Sequence, residues 1–180
     1  IKDYSHEYLT QLLYEDNQLF EYYCKMLSIV PMKYYPIFKV KMDLHAEKNK
    51  ELFEEYQNEI RLILKLMEDG PLSSLELEDM GEVVKGSWRS RKLSHKLLRT
   101  LWLSGKTVIH HREGRRKYYT SAENVVPDSL LSKDVLDEEG YKKKIVEIIT
   151  KSSKLVSPRK ASAQWKSVGG VRDVRSILEE

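Results

Sequence analysis

Apolar residues recur along most of the chain at spacings that mark helices. Leu9, Leu12, Leu13, Leu19, Phe20, Tyr23 and Leu27 follow helical spacing, which predicts a helix over residues 5–28. Pro31 and Pro36 break it, with the aromatic pair Tyr34-Tyr35 between them. From Ala46 to Met67 the stripe Leu52, Tyr56, Ile60, Ile63, Met67 advances by four, four, three and four, predicting one amphipathic helix of about six turns. Asp69-Gly70-Pro71 stops it, Gly70 as a left-handed cap and Pro71 by forbidding continuation. Ser73-Ser74-Leu75-Glu76 has capping-box spacing, Ser73 at the N-cap and Glu76 at N3, and opens a short helix through Met80. Gly86 and Ser87 interrupt the pattern.

The next helix is predicted over 89–103. Steps of about 100° put Leu93, Leu97, Leu98 and Leu101 on one arc, and Arg89, Arg91, Lys92, His95, Lys96 and Arg99 on the other. Gly105 ends it. Residues 106–111 and 116–120 read as strands, rich in Thr, Val, Ile and Tyr, and Arg112-Glu113-Gly114-Arg115 joins them as a hairpin with Gly114 at positive φ. A long helix, a short helix, a basic helix and a hairpin, in that order, are the parts of a winged helix-turn-helix.

After Val126-Pro127 comes a polar linker, then a helix over 141–151 with Ile145, Val146, Ile148 and Ile149. Ser157-Pro158 opens a short helix to Trp165, and Gly169-Gly170 leads into Val171, Val174 and Leu178 on one face. This repeats the pattern of 46–103 and stops before any hairpin. The expected fold is mainly α with a small β-hairpin wing: an N-terminal helical segment over 1–45, a winged helix-turn-helix over 46–126, and a linker with the start of a second, truncated winged helix over 127–180. Ile1 in place of Met and the helical pattern running into Glu180 read as cut ends, so a fragment of a longer protein is expected.

Charge changes this picture more than composition does. The 180 residues carry a net charge of only +3. Residues 85–117, however, hold eleven basic residues against the single acid Glu113, a net of +10, and the rest of the chain nets −7. Such segregation predicts a polyanionic partner, and on this helix and hairpin the partner expected is double-stranded DNA. Arg89, Arg91, Lys92, His95, Lys96 and Arg99 on the helix suit phosphates or guanine edges. His111, Arg112, Arg115, Arg116 and Lys117 on the hairpin suit the backbone or minor groove. A solvated charged face is the bland alternative.

Other candidate chemistry is thin. Cys24 is the only cysteine, which excludes an intrachain disulfide and a cysteine zinc site and fits a reducing cytoplasm; a small buried apolar role suits it better than a thiolate. No apolar run reaches the roughly 18 residues of a membrane span. His110 and His111, adjacent on a strand, are expected to face opposite ways and so not to chelate a metal together. Trp88 and Trp102 beside the Leu stripe are expected in the core rather than against bases, and the acids of 47–82 on a solvated helix face. No HExxH motif or Gly-rich phosphate loop is present, and neither metal nor cofactor is expected.

Two stretches carry a family resemblance. Leu19-Phe20-Glu21-Tyr22-Tyr23-Cys24-Lys25-Met26-Leu27-Ser28-Ile29-Val30-Pro31, with Tyr35-Pro36 and Met42 beyond, resembles the segment after the catalytic motif in winged-helix DNA glycosylases of the YcaQ and AlkZ type. Gly70-Pro71-Leu72, residues 92–105, Arg112-Glu113-Gly114-Arg115-Arg116 and Val126-Pro127 resemble that family's central winged helix. The resemblance implies tandem winged helices, originally followed by a β-barrel, in a bacterial DNA-repair glycosylase that excises bulky or crosslinking alkylated bases. Family members often have Trp and His where this chain has Tyr23 and Lys25. The family's Gln-x-Gln or Gln-x-Asp catalytic motif lies upstream of the first stretch, and Gln11, Gln18, Gln57 and Gln164 have neither Gln nor Asp two residues on. No catalytic residue is assigned. A winged-helix transcription regulator and a protein-interaction module are the competing readings.

Overall fold

The computed structural model describes residues 5–23, 27–79 and 90–153, and within these the side chains of 78–79, 90–92, 149 and 152–153 are not described. It is a mixed α/β arrangement, with eight helices and two antiparallel hairpins among the described residues. The helix expected over 5–28 is replaced by a helix and a hairpin. Helix α1 (His6–Thr10) runs into a π turn, Gln11–Glu15, and Asn17 then takes a left-handed φ of 51°. That residue turns the chain into β1 (Leu19–Tyr23), which pairs with β2 (Leu27–Pro31). Phe20 and Tyr22 on β1 and Val30 on β2 are buried together, a period of two that outweighs the helical spacing of the same residues. Cys24 and Lys25 lie outside the described residues.

Pro36 starts a helix where a break was expected. In α2 (Tyr35–Lys48) it occupies the first turn, where its missing N–H costs nothing. The single helix expected over 46–67 is three pieces: the end of α2, α3 (Lys50–Glu55) and α4 (Gln57–Asp69). At Asn49 the side-chain amide donates to the carbonyl of His45 at 2.8 Å, competing with the helical ladder there. The buried stripe survives the break, with Leu52, Ile60, Ile63 and Met67 all in the core. Gly70 does end α4, but at φ 157° and ψ 172°. This is a glycine-specific extended conformation, not the left-handed cap expected.

Helix α5 (Ser74–Asp79) has half of its capping box: the Ser73 N–H donates to Glu76 Oε2 at 2.6 Å. Ser73 Oγ is buried and has no partner among the described residues. Helix α6 (Ser90–Leu103) follows, then β3 (Thr107–Glu113) and β4 (Arg116–Ser121). Leu72 bridges Tyr119 in antiparallel fashion, with both N–H···O bonds at 2.8 Å, so the segment between α4 and α5 adds a rudimentary third strand beside β4. Helices α7 (Asp128–Leu131) and α8 (Glu138–Ser153) complete the described chain. The second winged helix expected over 154–180 falls outside the described residues.

One apolar core joins these elements. Trp102, Leu97, Leu98 and Leu101 of α6 meet Phe20, Tyr22, Phe38 and Met42 from the N-terminal side and Ile145 and Val146 from α8. The end of α6 is held by polar bonds as well: Tyr22 Oη donates to the Leu103 carbonyl at 2.8 Å and Tyr35 Oη to that of Gly105 at 3.0 Å. These satisfy carbonyls that a helix terminus leaves unpaired. Gly105 sits at φ 71°, and a Cβ there would lie 2.5 Å from Met42 Sδ.

Candidate nucleic-acid interface

Helix α6 is built with two faces. Ser94, Leu97, Leu98, Leu101 and Trp102 are buried, while His95, Lys96 and Arg99 are exposed on the opposite side. This is the division read from the sequence. Arg91 and Lys92 lie in the first turns of α6, with side chains not described, and Arg89 and Trp88 lie outside the described residues. Trp102 belongs to the core, its indole N–H donating to the Glu21 carbonyl at 3.1 Å.

The hairpin turn is tighter than expected. Strand β3 continues through Glu113, leaving Gly114 and Arg115 as a two-residue turn. Gly114 has φ 59°, which a glycine adopts at no steric cost. Arg115 and Arg116 are therefore exposed at the tip. Arg116 lies 3.9 Å from Glu113 and 3.4 Å from Tyr118 Oη, pairs too exposed and too long to neutralise it. Between this hairpin and α6 runs a groove of about 160 Å³ lined by His95, Leu98, Arg115, Arg116, Lys117 and Tyr119, with Ser74 at its edge. Residues some 20 apart in sequence thus share one cationic depression.

Arg112 is used differently. It lies within β3, and its guanidinium grips Glu21 of β1 bidentately, Nε to Oε1 at 2.7 Å and Nη2 to Oε2 at 2.5 Å. Tyr14 Oη also donates to Glu21 Oε1, at 2.6 Å. Glu21 is 5% exposed and Arg112 24%, so this pair is a strut with a buried carboxylate and a half-buried guanidinium, joining the N-terminal hairpin to β3. Burial, and then the carboxylate it donates to, hold the Tyr14 phenol well above its ordinary range. Lys117, opposite Arg112 in the register, places Nζ 4.3 Å from the Trp102 ring centroid. Burial first, and then the charges of Arg112 and Arg99, hold this ammonium below the usual lysine range.

The two histidines do not face opposite ways. Ile109 pairs with Tyr119 and His111 with Tyr118, so His110 is the extra residue of a β-bulge, and a bulge breaks the alternation of faces. The two Nδ1 atoms lie 2.9 Å apart, a contact in which only one of them carries the proton. His111 stacks on Tyr118 at 4.2 Å. Burial, and then His111, push His110 below the ordinary histidine range, which favours its neutral form. His110 also borders a polar cleft of about 220 Å³ shared with Tyr14, Asn17, Glu68, Thr120 and Asn124. No group of three or more His, Cys, Asp or Glu that could hold a metal occurs among the described residues.

His95, Arg115, Arg116 and Lys117, expected from the sequence on a basic helix and hairpin, lie along this groove, whereas the pairing of Arg112 with Glu21 was not expected. The clue to Glu21 was the alternation Phe20, Glu21, Tyr22, Tyr23, which reads as a strand once Asn17 is allowed to end the helix before it. Among the described residues no helix is long and apolar enough to cross a membrane. Comparison with known families matches residues 1–179 to a model described as DNA glycosylase AlkZ-like. No curated protein and no solved structure matches.

Proposed function

Since the chain belongs to the AlkZ-like DNA glycosylase family, we propose that α4 to β4 form a winged helix-turn-helix that holds double-stranded DNA for a base-excision reaction in the cytoplasm. Helix α6 acts as recognition helix and β3–β4 as wing. The bridge between Leu72 and Tyr119 supports this, because it supplies the short strand that joins a wing sheet ahead of the helix pair. The observation that carries the reading is the groove between His95 on α6 and Arg115, Arg116 and Lys117 on the hairpin. Arg115, Arg116 and Lys117 of the hairpin face the groove together with the His95 ring of α6, so cations and a ring N–H donor are available there for phosphate contacts along a duplex.

The lesions proposed are bulky or crosslinking alkylated bases, as the resemblance of the Leu19–Pro31 and Gly70–Val126 stretches implies. The chain's own residues bind and orient the duplex, and no catalytic residue is assigned among them. Release of alkylated base from treated and crosslinked duplex by the full-length protein tests this. Base release from the lesion duplex and none from undamaged duplex is the expected result. Equal affinity for damaged and undamaged duplex with no release would overturn the repair reading, and tight selection of one undamaged sequence would favour a regulator.

A further inference from the structure

The N-terminal hairpin presents an apolar strip beside the cationic face. Tyr23 and Leu27 are cross-strand partners at the turn end of β1–β2, and Ile29 lies two residues along the same face. All three are exposed, at 41%, 43% and 47%. The opposite face of this hairpin is the buried one, carrying Phe20, Tyr22 and Val30. Glu21, on the strip's own face, is already taken by Arg112 and Tyr14 and covered by them. Arg99 reaches across from α6 to 5.6 Å from the Tyr23 ring centroid, so the strip abuts the exposed side of the basic helix. Lys117 lies on the next strand over, across from Arg112. Among the described residues, neither Arg99 nor Lys117 forms an ion pair with a carboxylate.

We infer that Tyr23, Leu27 and Ile29 form a base-contacting surface, one that packs against nucleobases where the duplex is opened while Arg99 and Lys117 hold the flanking phosphates. The chemistry matches on both counts. A nucleobase offers a flat apolar face with anions on either side, and the strip is an apolar face with the Arg99 guanidinium against it and Lys117 on the neighbouring sheet. Extruding a nucleotide leaves a hole in the stack, and apolar side chains inserted at base steps are how proteins fill or widen such gaps. An apolar protein partner would gain nothing from the cations. This inference rests on the DNA-binding reading above and adds a second DNA-contacting element, from the N-terminal hairpin, that shares Lys117 with the groove.

The test compares a short duplex carrying one tetrahydrofuran abasic analogue with the same duplex fully paired. Affinities of the full chain are measured for Tyr23→Ala, Leu27→Ser/Ile29→Ser and Tyr23→Phe. Loss of a base-stacking side chain is expected to weaken binding to the gapped duplex by roughly tenfold. Tyr23→Phe keeps the ring and is expected to bind as the parent does. Because the strip touches bases rather than phosphates, the salt slope stays unchanged, and because the residues are exposed the thermal melts stay with the parent's. Parent-like affinity of the alanine and serine variants for the gapped duplex overturns the inference. If Arg115→Glu/Arg116→Glu still weakens binding in that case, only the assignment of the Tyr23, Leu27 and Ile29 strip fails. If it does not, the DNA-binding reading fails with it. Loss of self-association in sedimentation, with DNA affinity unaltered, also overturns the inference and makes the strip a contact between copies of this chain.

Discussion

Arg112 and Arg115 are three residues apart and do different work. Arg112 neutralises a carboxylate that is 5% exposed, and removing one partner of a buried pair leaves the other charged and desolvated. Arg112→Ala is therefore expected to cost about 3 kcal/mol in urea unfolding. Arg115→Ala, at an exposed turn, is expected to cost under about 0.5 kcal/mol. Equal losses would contradict the strut. In the Glu21→Gln background Arg112→Ala should cost less, since the buried carboxylate charge is gone; a double-mutant cycle measures the difference.

His110 makes a prediction with a definite sign. A base whose pKa is lowered on folding binds its proton less readily in the native protein than in the unfolded chain. Stability is then full above the ordinary histidine value of 6.5 and falls as pH drops below it, levelling off once native His110 itself titrates. His45 is shifted the same way, mainly by burial, and adds to the slope. The parent is expected to lose more stability between about pH 7 and pH 5 than His110→Asn does. Identical losses in both proteins, followed by chemical unfolding, would show that the bulge contact does not couple to the fold.

At the scale of elements, the junction between α6 and β3 is the most constrained point. Gly105 has a φ of 71° and Met42 sulfur where a Cβ would go. Gly105→Ala is expected to destabilise by about 2 kcal/mol, combining backbone strain with a forced shift of Met42. Gly114 has a similar φ but open space around it, so Gly114→Ala is expected to cost about 1 kcal/mol. Thermal melts that rank them the other way would contradict the packing.

The elements legible in the sequence were those whose signals agreed with one another. Helix α6 had a Leu arc, a basic arc and a terminal glycine, and its observed faces match. The hairpin after it had β-branched and aromatic strands around Gly114. The failures came where two periods fit one segment. Leu19, Phe20, Tyr23 and Leu27 satisfy a helix, yet Phe20 and Tyr22 alternate with Glu21, and the Asn17 turn decided for strands. Breaks at Asn49 and Tyr56 leave a buried stripe intact, so an apolar pattern alone cannot reveal them. The His110 bulge depends on register with β4, information held in no local window.

Across the whole molecule, one core runs from Phe20 to Val146, and the cationic groove lies on its surface where α6 meets the hairpin. The near-neutral total of +3 is the sum of +10 over residues 85–117, which include the groove's Arg115, Arg116 and Lys117, and −7 over the rest of the chain. The groove itself was legible because its residues come from two adjacent elements. The participation of the N-terminal segment was not, since Glu21 and Arg112 are 91 positions apart.

The salt dependence of duplex binding tests the central claim most directly. Each phosphate contact contributes about −0.9 to the slope of log affinity against log salt concentration. Arg115→Glu/Arg116→Glu is expected to bind undamaged duplex more weakly and to flatten that slope by about two units, with the thermal melt unchanged. A slope identical to the parent's would contradict the assignment of the groove between α6 and the hairpin as the DNA-binding face.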